Sequence, residues 1–64
     1  MASKKPPEDA DYVEGWAREL VKAVGKRDSR RFLEDYRAIS RDSRVSKRDR
    51  DIAAFRAKIL AKIL

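Results

Sequence analysis

Residues 46–64 read SKRDRDIAAFRAKILAKIL and form the longest helical pattern in the chain. Wound at about 100° per residue, this stretch places two adjacent apolar stripes on one helix, with Arg56 between them. Two stripes are more apolar surface than a small helical domain needs on one element, so we expect the helix to pack against its own chain and against a partner. The first stripe consists of Ile52, Phe55, Ile59 and Ile63, and the second of Ala53, Ala57, Leu60 and Leu64.

The chain has little material for a core of its own. It has 64 residues, a formal net charge of +6, and neither cysteine nor histidine. A chain of this size buries only about 60% of its unfolded surface. Without Cys and His, support from disulfides or a conventional zinc site is excluded, which leaves oligomerisation or partner binding. The absence of cysteine fits a reducing compartment, and no apolar run suits a signal peptide or a membrane span, so we expect a cytoplasmic protein.

Two shorter helical patterns precede residues 46–64. The first, near residues 8–24, has one apolar arc and is followed by Gly25, a typical residue at a helix C-terminus. The second, near residues 29–40, could be capped by Asp28 or Ser29. Each pattern therefore predicts a separate short helix.

The third helix is predicted near residues 47–64, with Ser46 and Asp49 opening it as a capping box. Together the three patterns predict an all-α three-helix bundle, in which helices 2 and 3 could be arranged like a helix-turn-helix. We expect residues 1–7 to be a disordered lead and residues 8–64 to form a single domain.

Catalytic chemistry has little support in the sequence. The chain has no His or Cys, and three short helices leave little room for a pocket that would shift the pKa of a carboxylate. The two D-x-D pairs, at residues 9–11 and 49–51, lack the glycine turn and terminal glutamate of a calcium loop. We therefore expect no enzyme, and no metal, cofactor, small-molecule substrate or membrane site.

The basic residues are concentrated between residues 26 and 50, where ten basic and five acidic residues occur. Arginines that precede and open a helix favour phosphate, because the helix N-terminus also attracts anions. This pattern predicts a nucleic-acid-binding regulator. In a helix-turn-helix arrangement, Ser46, Lys47 and Arg50 would approach the bases. The residues expected to contact phosphates are Arg30, Arg31, Arg37, Arg41 and Arg44, with Arg48 in the same basic cluster.

A second function is compatible with the same sequence. Asp42, Asp49 and Asp51 would repel nucleic acid at the predicted contact, and a solvated mixed-charge surface explains the arginines equally well. The alternative is a protein-binding adaptor or inhibitor that docks an acidic surface through its arginines, or a groove through the apolar end of helix 3. That end could also form a homodimer, or be buried in the chain's own core. Its residues are Ile59, Leu60, Ile63 and Leu64.

Overall fold

The computed structural model describes residues 6–64, and over that range it contains two helices and no strand. Helix α1 spans Ala10–Arg41 and helix α2 spans Lys47–Ile63. The predicted all-α class is confirmed. The predicted three-helix bundle is wrong, because its first two helices are the two halves of α1. The helix-turn-helix-like version of that bundle is wrong for the same reason. Most of the predicted disordered lead, residues 1–5, lies outside the described residues.

The predicted and observed helices differ at Gly25, where the sequence predicts that a helix ends and a connection follows. Gly25 has φ +83° and ψ 168°, a conformation that is essentially restricted to glycine. A single residue makes the bend, and helical structure resumes directly after it. Ser29, expected to cap a new helix, is instead fully buried inside α1, where its hydroxyl donates a 2.6 Å hydrogen bond to the Gly25 carbonyl.

The bend divides α1 into two segments, called arm 1 (residues 10–24) and arm 2 (residues 26–41). A straight helix of 32 residues would be about 48 Å long. The longest dimension of the described chain is only 38 Å, so the two arms point in different directions. The shortest dimension is 13 Å, so the described chain is flat.

Side-chain caps determine where the helices begin. Asp9 precedes α1, and its Oδ1 accepts a 2.9 Å hydrogen bond from the backbone N–H of Asp11. Helix α2 begins where predicted, because the Ser46 hydroxyl accepts a 3.2 Å hydrogen bond from the Asp49 N–H. Between the helices, residues 42–46 form a short turn. Local hydrogen bonding thus fixes the starts of both helices.

The core is a small cluster that joins α2 to both arms. Ala17 from arm 1 and Leu33 from arm 2 are buried together with Ala57 and Leu60 of α2. Two of these four residues are alanines, so the helices approach closely but bury little apolar area per residue. Stability therefore depends on the half-buried residues that surround the cluster, which are Trp16, Leu20, Val21, Tyr36, Ile59, Ile63 and Leu64.

Candidate nucleic-acid interface

Arm 2 carries three arginines along one of its sides. Arg30, Arg37 and Arg41 recur at intervals of seven and four residues, a spacing that places them on one stripe of a helix. All three residues are exposed. Glu34 lies on the same stripe and accepts a 3.2 Å hydrogen bond from Arg37 Nη1. With three positive charges and one negative charge, the stripe is positive.

The arginine stripe borders a groove between arm 2 and α2, called here the cationic groove. Its volume is about 360 Å³. Arg37 and Lys58 supply its positive charges from the two different helices, while the other lining residues are small. Lys58 also shares a stripe of α2 with Lys47, eleven positions earlier. The residues that line the groove are Arg37, Ser40, Ala54, Ala57, Lys58 and Ala61.

Two carboxylates near the predicted contact are neutralised by their neighbours. Asp42 accepts hydrogen bonds from Arg44, at 2.9 Å from the backbone N–H and at 3.1 and 3.2 Å from the guanidinium. These bonds hold the pKa of the Asp42 carboxyl below its usual range. Lys47 Nζ lies 3.6 Å from the Asp51 carboxylate. The repulsion expected from Asp42 and Asp51 is therefore weakened, although Arg44 and Lys47 are partly occupied by these pairs.

The remaining residues of the predicted site lie away from the groove or make structural contacts elsewhere. The Ser46 hydroxyl caps α2. Arg50 is half-buried, and its Nε is enclosed with no hydrogen-bond partner among the described residues. Arg48 precedes the buried Ala57 by nine residues, which places it on the opposite side of α2. Arg31 lines a different depression on arm 2.

Lys58 is the charged groove residue that the sequence-based prediction omitted. The prediction centred on residues 26–50, where the charge is densest, and Lys58 lies outside that range. A signal was present, since Lys47, Ala54, Lys58 and Ala61 share one helical stripe. What the sequence could not provide was the helix that lies beside this stripe.

The apolar end of α2 contributes mainly to the chain's own core. Leu60 is fully buried. Ile59, Ile63 and Leu64 are half-buried and pack against the core cluster. Ile59 and Ile63 also border a second depression of about 530 Å³, together with Glu14, Arg18 and Lys62.

Arg56 ties α2 to both arms of α1. Its Nε and Nη2 donate hydrogen bonds of 2.6 and 2.8 Å to the two carboxylate oxygens of Glu8. Its guanidinium carbon lies 4.7 Å from the centroid of the Trp16 ring, a cation–π contact. Trp16 in turn meets Tyr36 of arm 2 edge-on, with 5.5 Å between ring centroids. This cluster holds α2 against both arms and thereby supports the walls of the cationic groove.

Comparison of the chain with protein-family models, with curated proteins and with solved structures gives no match. Within residues 6–64, no helix is both long enough and apolar enough to cross a bilayer. The same residues contain no group of three or more His, Cys, Asp or Glu side chains placed to hold a metal ion. The cationic groove is therefore the main basis for a functional proposal.

Proposed function

We propose that the protein is a small non-enzymatic nucleic-acid-binding regulator whose cationic groove receives the sugar–phosphate backbone. The observation that carries the proposal is the placement of positive charge on both helices that border one groove. Arg37 of arm 2 and Lys58 of α2 line the groove. Arg30 and Arg41 share the helical stripe of Arg37, and Lys47 shares that of Lys58. Lys and Arg side chains that neutralise phosphates supply most of the affinity of sequence-independent binding.

The small side chains between these cations support the same function. Ser40, Ala54 and Ala61 line the groove and leave room for a backbone to approach the charged groups. No aromatic residue lines the groove, so base stacking has no platform there. Contacts of this kind position a nucleic acid without reading its sequence. We therefore expect binding that depends weakly on base sequence.

The proposal is tested by titrating labelled duplex DNA and single-stranded RNA with the protein at several salt concentrations. Each neutralised phosphate contributes a slope of about −0.9 in log K against log salt for duplex DNA, and about −0.7 for a single strand. Two duplex contacts, from the cations that line the groove, predict a slope of about −1.8, and contacts from all five cations predict about −4.5. Absence of binding at low salt, or affinity that is independent of salt, would refute the proposal.

The second candidate function is a protein-binding adaptor or inhibitor. The depression that Ile59 and Ile63 border favours it, because half-buried apolar side chains lie there beside Arg18 and Lys62. A partner segment with apolar and acidic residues would fit this combination. We rank this function second because Ile59 and Ile63 already pack against the chain's own core.

A further inference from the structure

The bend at Gly25 holds arm 1 against arm 2 through a single residue. Trp16 of arm 1 and Tyr36 of arm 2 are 20 residues apart, which would separate them by about 30 Å along a straight helix. Their ring centroids are only 5.5 Å apart, so arm 1 folds back toward arm 2. The contact between the arms therefore exists within one chain only while Gly25 keeps its positive φ.

The contacts between the two arms are arranged almost symmetrically about Gly25. Ala17 precedes Gly25 by eight residues, and Leu33, in the same buried cluster, follows it by eight. Trp16 precedes it by nine residues and Tyr36 follows it by eleven. If α1 were straight, two copies lying antiparallel about a two-fold axis near Gly25 would place Ala17 of each copy level with Leu33 of the other. The contacts that arm 1 makes within one chain fit equally well between two chains.

We propose that Gly25 is a hinge at which α1 straightens, and that arm 1 then packs against arm 2 and α2 of a second copy. Exchange of an identical element between copies forms a dimer readily, because the contacts within one chain reappear between the chains. The pair of Arg56 with Glu8 and the contact of Trp16 with Tyr36 each form twice. Glycine adopts helical φ/ψ as well as positive φ, so the same residue permits both states.

Positive charge near the bend opposes the pairing. The charged residues next to the axis are exposed and consist of three bases and one acid, Lys22, Lys26, Arg27 and Asp28. Salt screens repulsion between exposed charges, whereas ion pairs that are present in both states are screened equally. The dimer should therefore become more stable as the salt concentration rises.

Straightening of α1 leaves the cationic groove intact. Arm 2 and α2 border the groove and are joined by the turn at residues 42–46, so the hinge does not lie between them. The dimer carries two grooves, and two linked sites bind one nucleic acid more tightly than either site alone. The exchange itself needs no nucleic acid, so its test is independent of the function proposed for the groove.

Substitutions that favour one backbone conformation at Gly25 test the hinge. L-Alanine is strained at φ +83° but suits a straight helix, so Gly25→Ala should favour the dimer. In dilute solution this variant remains a strained monomer of lower stability. Replacement of Gly25 by D-alanine, introduced by chemical synthesis, suits positive φ and should hold the chain in the bent, monomeric state. Gly15→Ala, within arm 1 and away from the bend, is the matched control.

Sedimentation equilibrium of the full chains at several salt concentrations measures the pairing. Gly25→Ala should lower the dissociation constant of the dimer about 100-fold or more, because two strained residues are relieved in each dimer. Gly15→Ala should leave the constant unchanged, since residue 15 is helical in both states.

Isotope-filtered NMR shows whether a dimer is the exchanged one. In an equal mixture of labelled and unlabelled wild-type chains at millimolar concentration, a nuclear Overhauser signal should connect Trp16 of one copy with Tyr36 of the other. The same signal should be stronger for Gly25→Ala and absent for the chain with D-alanine.

A wild-type chain that stays monomeric at millimolar concentration would overturn the proposal. A dimer without the signal between copies would also overturn it, because its interface would lie elsewhere. A Gly25→Ala chain that is monomeric or unfolded at that concentration would contradict the hinge, since the straightened chain would then have no partner. Circular dichroism separates the folded monomer from the unfolded chain.

Discussion

Arg56 and Glu8 are 48 positions apart in sequence and are joined by two hydrogen bonds of 2.6 and 2.8 Å. Their side chains are only 18% and 21% exposed, because Trp16 lies against the guanidinium. The pair connects the residue that precedes the α1 cap to the middle of α2. Because the core cluster contains only four residues, two of them alanines, we expect this contact to contribute measurably to stability.

Replacement of Arg56 by lysine keeps the charge but removes the two-pronged contact with Glu8 and the planar contact with Trp16. We expect Arg56→Lys to lower the free energy of unfolding by about 1–3 kcal/mol. Urea denaturation followed by Trp16 fluorescence measures this change. The control is Arg18→Lys, which alters an exposed i, i+4 pair with Glu14 and should cost at most about 0.5 kcal/mol. Equal losses in the two variants would show that the Arg56 pair has no special role.

Acid should destabilise the protein partly through Glu8. The hydrogen bonds from Arg56 lower the pKa of the Glu8 carboxyl in the folded state. A lowered folded pKa gives stability that is fully present above the unfolded pKa, which for a glutamate is about 4.3, and that is lost as the pH falls through the lower folded value. Glu8→Gln removes this dependence, so its unfolding free energy should fall less steeply with acid than that of the wild type. If the unfolding free energies of the two proteins fell in parallel with decreasing pH, the assignment to Glu8 would be contradicted. Asp42 would then explain the acid dependence, because it is present in both proteins.

The two glycines should respond to alanine in opposite directions. Gly15 is exposed within arm 1 with free space around an added Cβ, so Gly15→Ala should stabilise the protein by up to about 1 kcal/mol. Gly25 also has space for a Cβ, but its φ of +83° is strained for any other residue. Gly25→Ala should therefore destabilise by about 1–3 kcal/mol. Thermal melts of both variants give the comparison, and stabilisation by alanine at both positions would mean that α1 is not bent at Gly25.

Leu60 distinguishes a core role from an interface role at the end of α2. It is fully buried, so Leu60→Ala should cost about 2–5 kcal/mol and leave much of this small protein unfolded. Leu64→Ala, at a half-buried position, should cost less. Helicity measured by circular dichroism compares the two. A Leu60 variant that stays fully helical while losing self-association would reassign the residue to an interface.

The features that the sequence predicted correctly depend on local chemistry. The start of α2 follows from Ser46 and the N–H group three residues later, so no distant contact is needed to locate it. The arginines of residues 30–41 were identified from composition, and Arg30, Arg31, Arg37 and Arg41 are all exposed, while their role in phosphate binding stays a prediction.

The features that were missed depend on contacts distant in sequence. Gly25 signals a change of direction, but whether the chain leaves the helix or only bends depends on how Ser29 is buried. Arg56 and Glu8 share no local pattern, and Lys58 gains its importance only because arm 2 lies beside it. Each of these outcomes is set by packing between helices rather than by propensity.

The central claim, that the cationic groove binds phosphate, is tested most directly by comparing two double variants of equal charge. Arg37→Ala with Lys58→Ala removes one arginine and one lysine from the groove. Arg18→Ala with Lys62→Ala removes the same two residue types from the second depression, which these residues line together with Ile59 and Ile63, and Arg18, like Arg37, pairs with a glutamate.

The measurement is the salt dependence of duplex DNA affinity for the wild type and both variants, by fluorescence anisotropy of labelled DNA. The groove variant should bind more weakly, and its slope in log K against log salt should be shallower by about 1.8, the contribution of two phosphate contacts. The Arg18 and Lys62 variant should keep nearly the wild-type slope. Equal losses in the two variants would contradict the account, because binding would then follow net charge alone.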